Sequence, residues 1–408
     1  MNLKIIIGGL YRGYKYIIET PYRMRAISES SQKKEHILSQ KKNRKSEMIK
    51  VGFVVQMPEV WDKEAPLFEA MMDDNRFDVY LIIIPHYNFA NSKLEQYGEE
   101  KKYFVEKYPM AKTVLLINEK DMVVDESYDY IFYQRCWEDY MPEQLRCKNV
   151  INYAMTCYIP YCYHCAPVPK AYYHKDFFWY LSKFYTCSED QYKEVRRLHT
   201  IECQYNGFPV FDSLRFIEKK ENIKVLWTPR WSDDSTYGGT SFNKNRNNII
   251  KLKEIFENID LVLRPHPLTF ENAIKEGWMT QSEVEDYKKA VIECGAEFDK
   301  NKLIESTFVD TDILITDFTS AIITFYLSGK PIIYCGDTNI KMTGLFKKII
   351  ETSYVAKEWD EVVKYVFDII NGKDDLLEKR KEVIDSMSDT LSSSESIMND
   401  LYTTIRFK

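Results

Sequence analysis

Residues 312–336 read Asp312-Ile-Leu-Ile-Thr-Asp317-Phe-Thr-Ser-Ala-Ile-Ile-Thr-Phe-Tyr-Leu-Ser-Gly329-Lys-Pro331-Ile-Ile-Tyr-Cys-Gly336, the order strand, polar turn, helix, strand. Ile313, Leu314 and Ile315 suit a buried parallel strand, and Asp317, Thr319 and Ser320 supply capping oxygens for a helix expected over 319–328. The first-turn amides and the positive end of that helix would face the space beyond the strand's carboxyl edge, where open α/β sheets bind ligands. The turn therefore reads as an anion site. Gly329-Lys330-Pro331 stops the helix, and Ile332-Ile333-Tyr334 opens the next strand.

Two upstream segments have the same design. Asp260-Leu-Val-Leu-Arg264-Pro-His266-Pro267 is a strand whose carboxyl end presents Arg264 and His266, and Lys224-Val-Leu-Trp-Thr228-Pro-Arg230-Trp231 ends in Arg230 and Trp231. A lone Arg or His after a strand is more often a satisfied surface residue than a ligand. Three polar strand ends in sequence order, each followed by helical pattern, point instead to a nucleotide-diphosphate site.

These residues resemble the CDP-glycerol glycerophosphotransferase family, the teichoic acid primases and polymerases. Thr228-Pro-Arg230-Trp231, Pro265-His266-Pro267 and Thr316-Asp-Phe-Thr-Ser320 are similar to its Ala-Pro-Thr-Trp-Arg, Pro-His-Pro and Thr-Asp-Tyr-Ser-Ser motifs, and Gly207-Phe-Pro-Val-Phe-Asp212 to its Gly-x-Pro-Arg-x-Asp turn. The resemblance implies a glycosyltransferase-B-like α/β fold, two doubly wound Rossmann-like domains facing a central cleft. It also implies transfer of a polyol-phosphate unit, glycerol- or ribitol-phosphate-like, from a CDP-linked donor to a hydroxyl of a glycan or lipid-linked acceptor in cell-surface polymer synthesis. Two departures stand out. The family's Trp-His-Gly-Thr motif, which carries its general base, is replaced by Ile151-Asn-Tyr-Ala-Met-Thr-Cys-Tyr-Ile-Pro-Tyr161, and the Arg of Pro-Thr-Trp-Arg sits two residues earlier, at Arg230. Period two in extended backbone keeps Arg230 on the same face.

The expected donor-binding set is Arg230, Arg264, His266, Asp317, Thr319 and Ser320. His266 and Arg264 are assigned to the diphosphate, Arg230 to fixed charge, and Asp317 to orienting the turn, because a carboxylate aimed at phosphate would repel it. For the catalytic base the first half offers His86 after the second strand and Glu138 after the fourth. No metal or cofactor is called for. A nucleotide-sugar glycosyltransferase of capsule or surface polysaccharide synthesis is the alternative, since the same fold serves sugar transfer. A non-catalytic scaffold of such a complex is the second alternative.

The chain's 408 residues suffice for two domains, and 45% apolar with 29% charged residues is ordinary for a globular protein. Net charge is −6, yet residues 1–50 hold twelve Lys and Arg against four Glu, which is +8 and leaves −14 on the other 358. An acidic body without a recognised module argues against nucleic-acid binding. Residues 1–47 read as a basic arm whose mixture of Leu3, Ile5, Ile6, Tyr11, Ile17 and Ile18 with Lys4, Arg12 and Lys15 suits an anionic membrane surface and is too short and charged to span one. A polar linker is expected around 31–47. The expected location is cytoplasmic, peripheral at the inner face of the cell membrane. Nine cysteines, an odd number in apolar surroundings, suit reduced thiols. Cys157, Cys162 and Cys165 reproduce a plant-type iron–sulfur spacing, with Cys187 and His164 nearby, but the Tyr-rich segment around them favours an inert, packed cluster.

Domains are expected at 48–205 (acceptor side) and 206–372 (nucleotide donor), with 373–408 as helices crossing back to the first. Strands are expected near 50–56, 77–84, 113–117, 129–133 and 149–153, then near 223–228, 259–264, 312–316 and 331–335. Helices are expected near 61–74, 93–108 and 140–146, and near 244–257, 281–294 and 360–371.

Overall fold

Short apolar runs rich in β-branched and aromatic residues become parallel strands in two separate sheets of a computed structural model. The structure describes residues 3–41, 47–85, 87–88, 93–94, 98–115, 125–198, 201–214, 222–387 and 392–407, with backbone alone for 3–19, 87–88, 93–94, 140, 170–171 and 198. One unit comprises Met1–Cys162, Val168–Asp212 and Ser392–Lys408, the other Tyr163–Pro167 and Ser213–Leu391.

The first unit holds strands β1 (Ile49–Val55), β2 (Phe77–Ile83), β3 (Lys112–Leu115), β4 (Tyr130–Tyr133), β5 (Met155–Tyr158), β6 (Lys183–Thr186) and β7 (Glu202–Tyr205). They lie in the order β3-β2-β1-β4-β5-β6-β7, all pairs parallel. The order reverses between β1 and β4, so the loops after those two strands open the crevice where a doubly wound sheet takes its ligand. The fifth strand expected at 149–153 is instead a short helix, Cys147–Val150, followed by a turn. Asn149 Nδ2 donates to Glu143 O at 2.6 Å and Asn152 Nδ2 to Asn149 O at 2.8 Å. Side chains that bond their own backbone in this way favour turns, and pairing passes to Met155-Thr-Cys-Tyr158. The helices expected at 93–108 and 140–146 are likewise shorter, Glu99–Lys107 in the first case and two 3₁₀ turns in the second.

The basic arm differs most from its sequence reading. Residues Leu3–Lys41 form one long helix, α1, with Pro21 inside it, and the linker expected from residue 31 is helical through 41. From residue 20 onward α1 is built into the first unit. Ala26 and Ile37 are each 1% exposed, Lys34 pairs with Glu202 at 2.6 Å, and Lys41 pairs with Asp129 at 2.6 Å while donating to Tyr128 O at 2.7 Å. The last helix, α2 (Ser393–Phe407), belongs to the same unit. Its Asp400 accepts from the buried Lys183 and from Tyr185, each at 2.7 Å, and the Asp212 carboxylate accepts from the amides of Ser393 (3.1 Å) and Ser394 (2.7 Å) at its start.

The second unit holds β8 (Ile223–Thr228), β9 (Ile259–Leu263), β10 (Glu297–Phe298), β11 (Ile313–Thr316), β12 (Ile332–Tyr334) and β13 (Tyr354–Val355), in the order β10-β9-β8-β11-β12-β13. Reversal here lies between β8 and β11, which brings the ends of those strands, Thr228 and Thr316, side by side. Helices Phe242–Ile255, Gln281–Glu293 and Trp359–Ile370 bury Phe242, Ile249, Leu252, Val284, Val291, Val362 and Val366 in a core with Val225, Trp227, Leu261 and Ile315. Trp227 is fully buried, and burial of a side chain of that size contributes about 3 kcal/mol.

Candidate functional site

At the β8–β11 reversal, Thr228 Oγ1 donates to Thr316 Oγ1 and Thr316 Oγ1 to Thr228 O, both at 2.8 Å, locking the two strand ends. The chain leaving β11 turns through Asp317, which is 1% exposed. Its Oδ2 accepts from Arg230 N at 2.9 Å and Ser241 N at 2.8 Å, so one carboxylate fixes both ends of the 230–241 loop. Burial raises its pKa, opposed by these amides and by the Arg230 charge. Asp317 orients the turn, and the signal for that role was its place one residue past a strand.

Arg230 is half-buried. Its guanidinium donates to Phe318 O at 3.4 Å and lies 5.1 Å from the Tyr237 ring, which stacks on Phe318. Desolvation lowers its pKa, yet an arginine keeps its charge. Tyr237 and Thr240, whose hydroxyl donates to Arg230 O at 2.5 Å, are site residues that the motifs did not single out. They lie in an irregular loop with Gly238 and Gly239 in left-handed conformation, φ 80° and 65°.

His266 stacks on Trp231, ring centroids 5.5 Å apart, and its Nδ1 accepts from Leu268 N at 3.2 Å. That bond places the remaining proton on Nε2. Desolvation, and secondly the Arg230 charge, lower its pKa to about 4, although part of the residue stays open to solvent. The ring is therefore a neutral donor at pH 7.

Arg264, expected at the diphosphate, is bonded to a neighbouring loop. Its guanidinium pairs with Asp299 and donates to Asn301 O at 2.7 Å and Lys302 O at 2.8 Å. The strand beside β9 ends in that 299–302 loop, whose carboxylate and carbonyls bind the fork, so Arg264 braces the strand ends. The helix after the turn is also shorter than the expected 319–328, running Ala321–Tyr326. Ser320 is its N-cap without a side-chain bond, and Thr319 Oγ1 accepts from Ala321 N at 3.4 Å. Both hydroxyls sit partly exposed beside the Asp317 turn.

In the first unit, Gln134 joins the loops after β1 and β4. Its Oε1 accepts from Gln56 N (3.0 Å) and Met57 N (2.8 Å), and its Nε2 donates to Met57 O at 2.7 Å. Glu138 follows on the β4 loop, partly exposed, with Oε1 accepting from Cys147 N at 2.6 Å. Desolvation pushes its pKa up to about 7, helped by the charge of Asp176 and opposed by the Cys147 amide, Arg146 and Lys148. His86 lies outside the described residues. Glu64, at the end of the β1 loop, is 1% exposed, and neither carboxylate oxygen has a hydrogen-bond partner, so burial raises its pKa well above the carboxylate range.

The cysteines are thiols in packed surroundings. Burial raises the pKa of Cys157 and takes that of Cys162 to about 11, which keeps both protonated and unreactive. Among the described residues no group of His, Cys, Asp and Glu is arranged to hold a metal ion, and no helix is long and apolar enough to cross a membrane.

Residues 210–343 match the family described as CDP-Glycerol:Poly(glycerophosphate) glycerophosphotransferase, a transferase family, so the resemblance carried by the three motifs is shown. No curated protein matches this chain. Among solved structures, the wall teichoic acid polymerase TagF is similar with TM-score 0.55 and 11% identity, covering 98% of each chain. The UDP-GlcNAc 2-epimerase of Neisseria meningitidis bound to UDP-GlcNAc gives TM-score 0.56 and 11% identity over 86% of this chain and 99% of its own. Such neighbours show the fold: two parallel-sheet α/β domains of the glycosyltransferase-B-like kind.

Proposed function

We propose that the protein transfers a polyol-phosphate unit from a CDP-linked donor to an acceptor hydroxyl. The observation that carries this reading is the β8–β11 edge, where Arg230, a neutral His266, Thr319 and Ser320 gather around the Asp317 turn inside the stretch matched by the family. Phosphoryl transfer is catalysed mainly by positioning and charge neutralisation. Arg230 supplies fixed positive charge to the diphosphate. His266 Nε2–H donates to the oxygen bridging to CMP, and the hydroxyls of Thr319 and Ser320 bind the remaining oxygens. The acceptor oxygen attacks the polyol-bearing phosphorus, the bond from that phosphorus to the CMP oxygen breaks, and the acceptor proton passes to a general base, for which Glu138 is the first unit's candidate. A carboxylate with pKa about 7 suits that step, since a base works best when its pKa lies near the working pH. Arg264 supports the site by bracing the β9 and β10 ends.

We also propose that the segment of α1 before Pro21 attaches the enzyme to anionic lipid at the inner face of the membrane, close to a lipid-linked or glycan acceptor. Its sequence combines Lys4, Arg12 and Lys15 with aliphatic and aromatic residues, and each basic residue near such a surface contributes about 1 kcal/mol.

The test is a donor panel of CDP-glycerol, CDP-ribitol, UDP-sugars and GDP-sugars, followed by nucleotide release with and without acceptor. CMP release from a CDP-polyol supports the reading. Turnover of UDP- or GDP-sugars alone would replace it with sugar transfer, and no turnover of any donor would leave the scaffold alternative.

A further inference from the structure

The second unit has a cleft of about 130 Å³ near the Asp317 turn, far more than the roughly 10–15 Å³ that one water needs. Its walls are the 238–241 loop, the first turn of the helix Phe242–Ile255, and the chain after β12 and β13 at Cys335 and Ala356. Backbone bonds fix these walls: Ser241 N to the Asp317 carboxylate at 2.8 Å, Cys335 N to Thr316 O at 2.8 Å and Ala356 N to Tyr334 O at 2.9 Å. Two lining side chains are left with polar atoms that the protein does not satisfy. Asn245 is 5% exposed and its Oδ1 has no hydrogen-bond partner, and Ser241 is 9% exposed with Oγ in the same condition. Buried polar atoms are ordinarily paired, so two orphans beside one cleft indicate a group that enters it.

The surrounding charges say what kind of group. At the rim Lys244 pairs with Glu358 at 2.8 Å and donates to Lys357 O at 2.8 Å, so the ammonium is already matched. With that pair neutral and the Asp317 carboxylate bonded to the Ser241 amide, an anion gains little there. Asn245 Oδ1 calls for an O–H or N–H donor, and the Ser241 hydroxyl can donate or accept. Ala356 and Val362 add an apolar wall suited to a short carbon chain.

We propose that this cleft is a polyol site, separate from the diphosphate edge, in which Asn245 and Ser241 bind the hydroxyls of a neutral polyol. That the ligand is a polyol and not another hydroxyl-bearing molecule rests on the proposed transfer reaction. Free polyol and a polyol unit within a polyol-phosphate chain present the same hydroxyls.

The experiment is saturation-transfer NMR on the full chain with ribitol, with a short poly(glycerol phosphate) oligomer and with glucose, each with and without excess CDP. Expected is saturable transfer to ribitol or the oligomer that CDP does not reduce, with affinity lower by at least about tenfold in Asn245→Ala and in Ser241→Ala. Because the protein satisfies neither Asn245 Oδ1 nor Ser241 Oγ, both variants should melt near wild type. Transfer to ribitol assigns the site to a free polyol, and transfer to the oligomer without ribitol assigns it to a unit of a chain. Transfer to neither, transfer to glucose alone, loss of transfer with CDP, or unchanged affinity in either variant overturns the proposal. CMP release from CDP-glycerol is measured alongside. Its absence with polyol binding intact removes the proposed reaction and leaves the cleft, whereas normal release without polyol binding removes the cleft alone.

Discussion

His266 follows its strand as the apolar run indicates, whereas its surroundings do not follow from that run. Its position after β9 was legible from the strand pattern, but its neutrality depends on Trp231 beneath the ring, Arg230 nearby and the Leu268 amide, none of which spacing reveals. His266→Ala should lower turnover by roughly 10²-fold, the low end of general-acid contributions, with the melting temperature almost unchanged because the residue lies at the surface. Steady-state kinetics beside a thermal melt checks both halves. Arg264→Ala should do the reverse. It removes the cationic partner of Asp299, which keeps the Asn301 amide and the Thr307 hydroxyl, and the donor to two loop carbonyls, a loss of about 2 kcal/mol, and should lower the melting temperature by several degrees while donor affinity stays near wild type. Sequence placed both residues at one strand end and could not tell them apart, because the discriminating partner, Asp299, is remote in sequence.

Elements were easiest to read where apolar runs are short and uninterrupted, as in β8, β9 and β11, whose expected and observed limits agree to within a residue. They were hardest where side chains bond the local backbone, as at Asn149 and Asn152, or where a polar stretch is stabilised by ion pairs with distant residues. α1 is the second case: residues 31–41 look like a linker by composition, yet Lys34 and Lys41 find Glu202 and Asp129. Deletion of residues 2–20 should release the protein from anionic vesicles. Deletion of 2–41 should cost several kcal/mol, since it uncovers the surface packed by Ala26 and Ile37 and removes two carboxylates' partners. Vesicle co-sedimentation at low and high salt, with a melt of each truncation, gives the comparison. Equal sedimentation of the full chain and the 2–20 deletion would remove the membrane role.

At the scale of the whole molecule, two parallel sheets, their strand-end motifs and the family resemblance were all legible, because buried parallel strands announce themselves as apolar runs. The loops that complete each site were not, since 230–241 and 134–150 carry no period. Stability as a function of pH is a global consequence of one buried carboxylate. Burial raises the pKa of Glu64 above its unfolded value, so its contribution is present below the unfolded value and declines as pH rises toward the folded value. Glu64→Gln should thus melt higher than wild type, by a margin that widens from pH 5 to pH 8, and a margin independent of pH would contradict that burial.

The central claim is that the β8–β11 edge of the second unit binds the donor diphosphate, and calorimetric titration of CDP-glycerol into the wild type, Arg230→Ala and Arg264→Ala tests it directly. The structure predicts a saturable isotherm for the wild type, weakening of at least about tenfold for Arg230→Ala, and near-wild-type affinity for Arg264→Ala at a temperature where both variants are folded. No binding by the wild type, or equal affinity for wild type and Arg230→Ala, would contradict it.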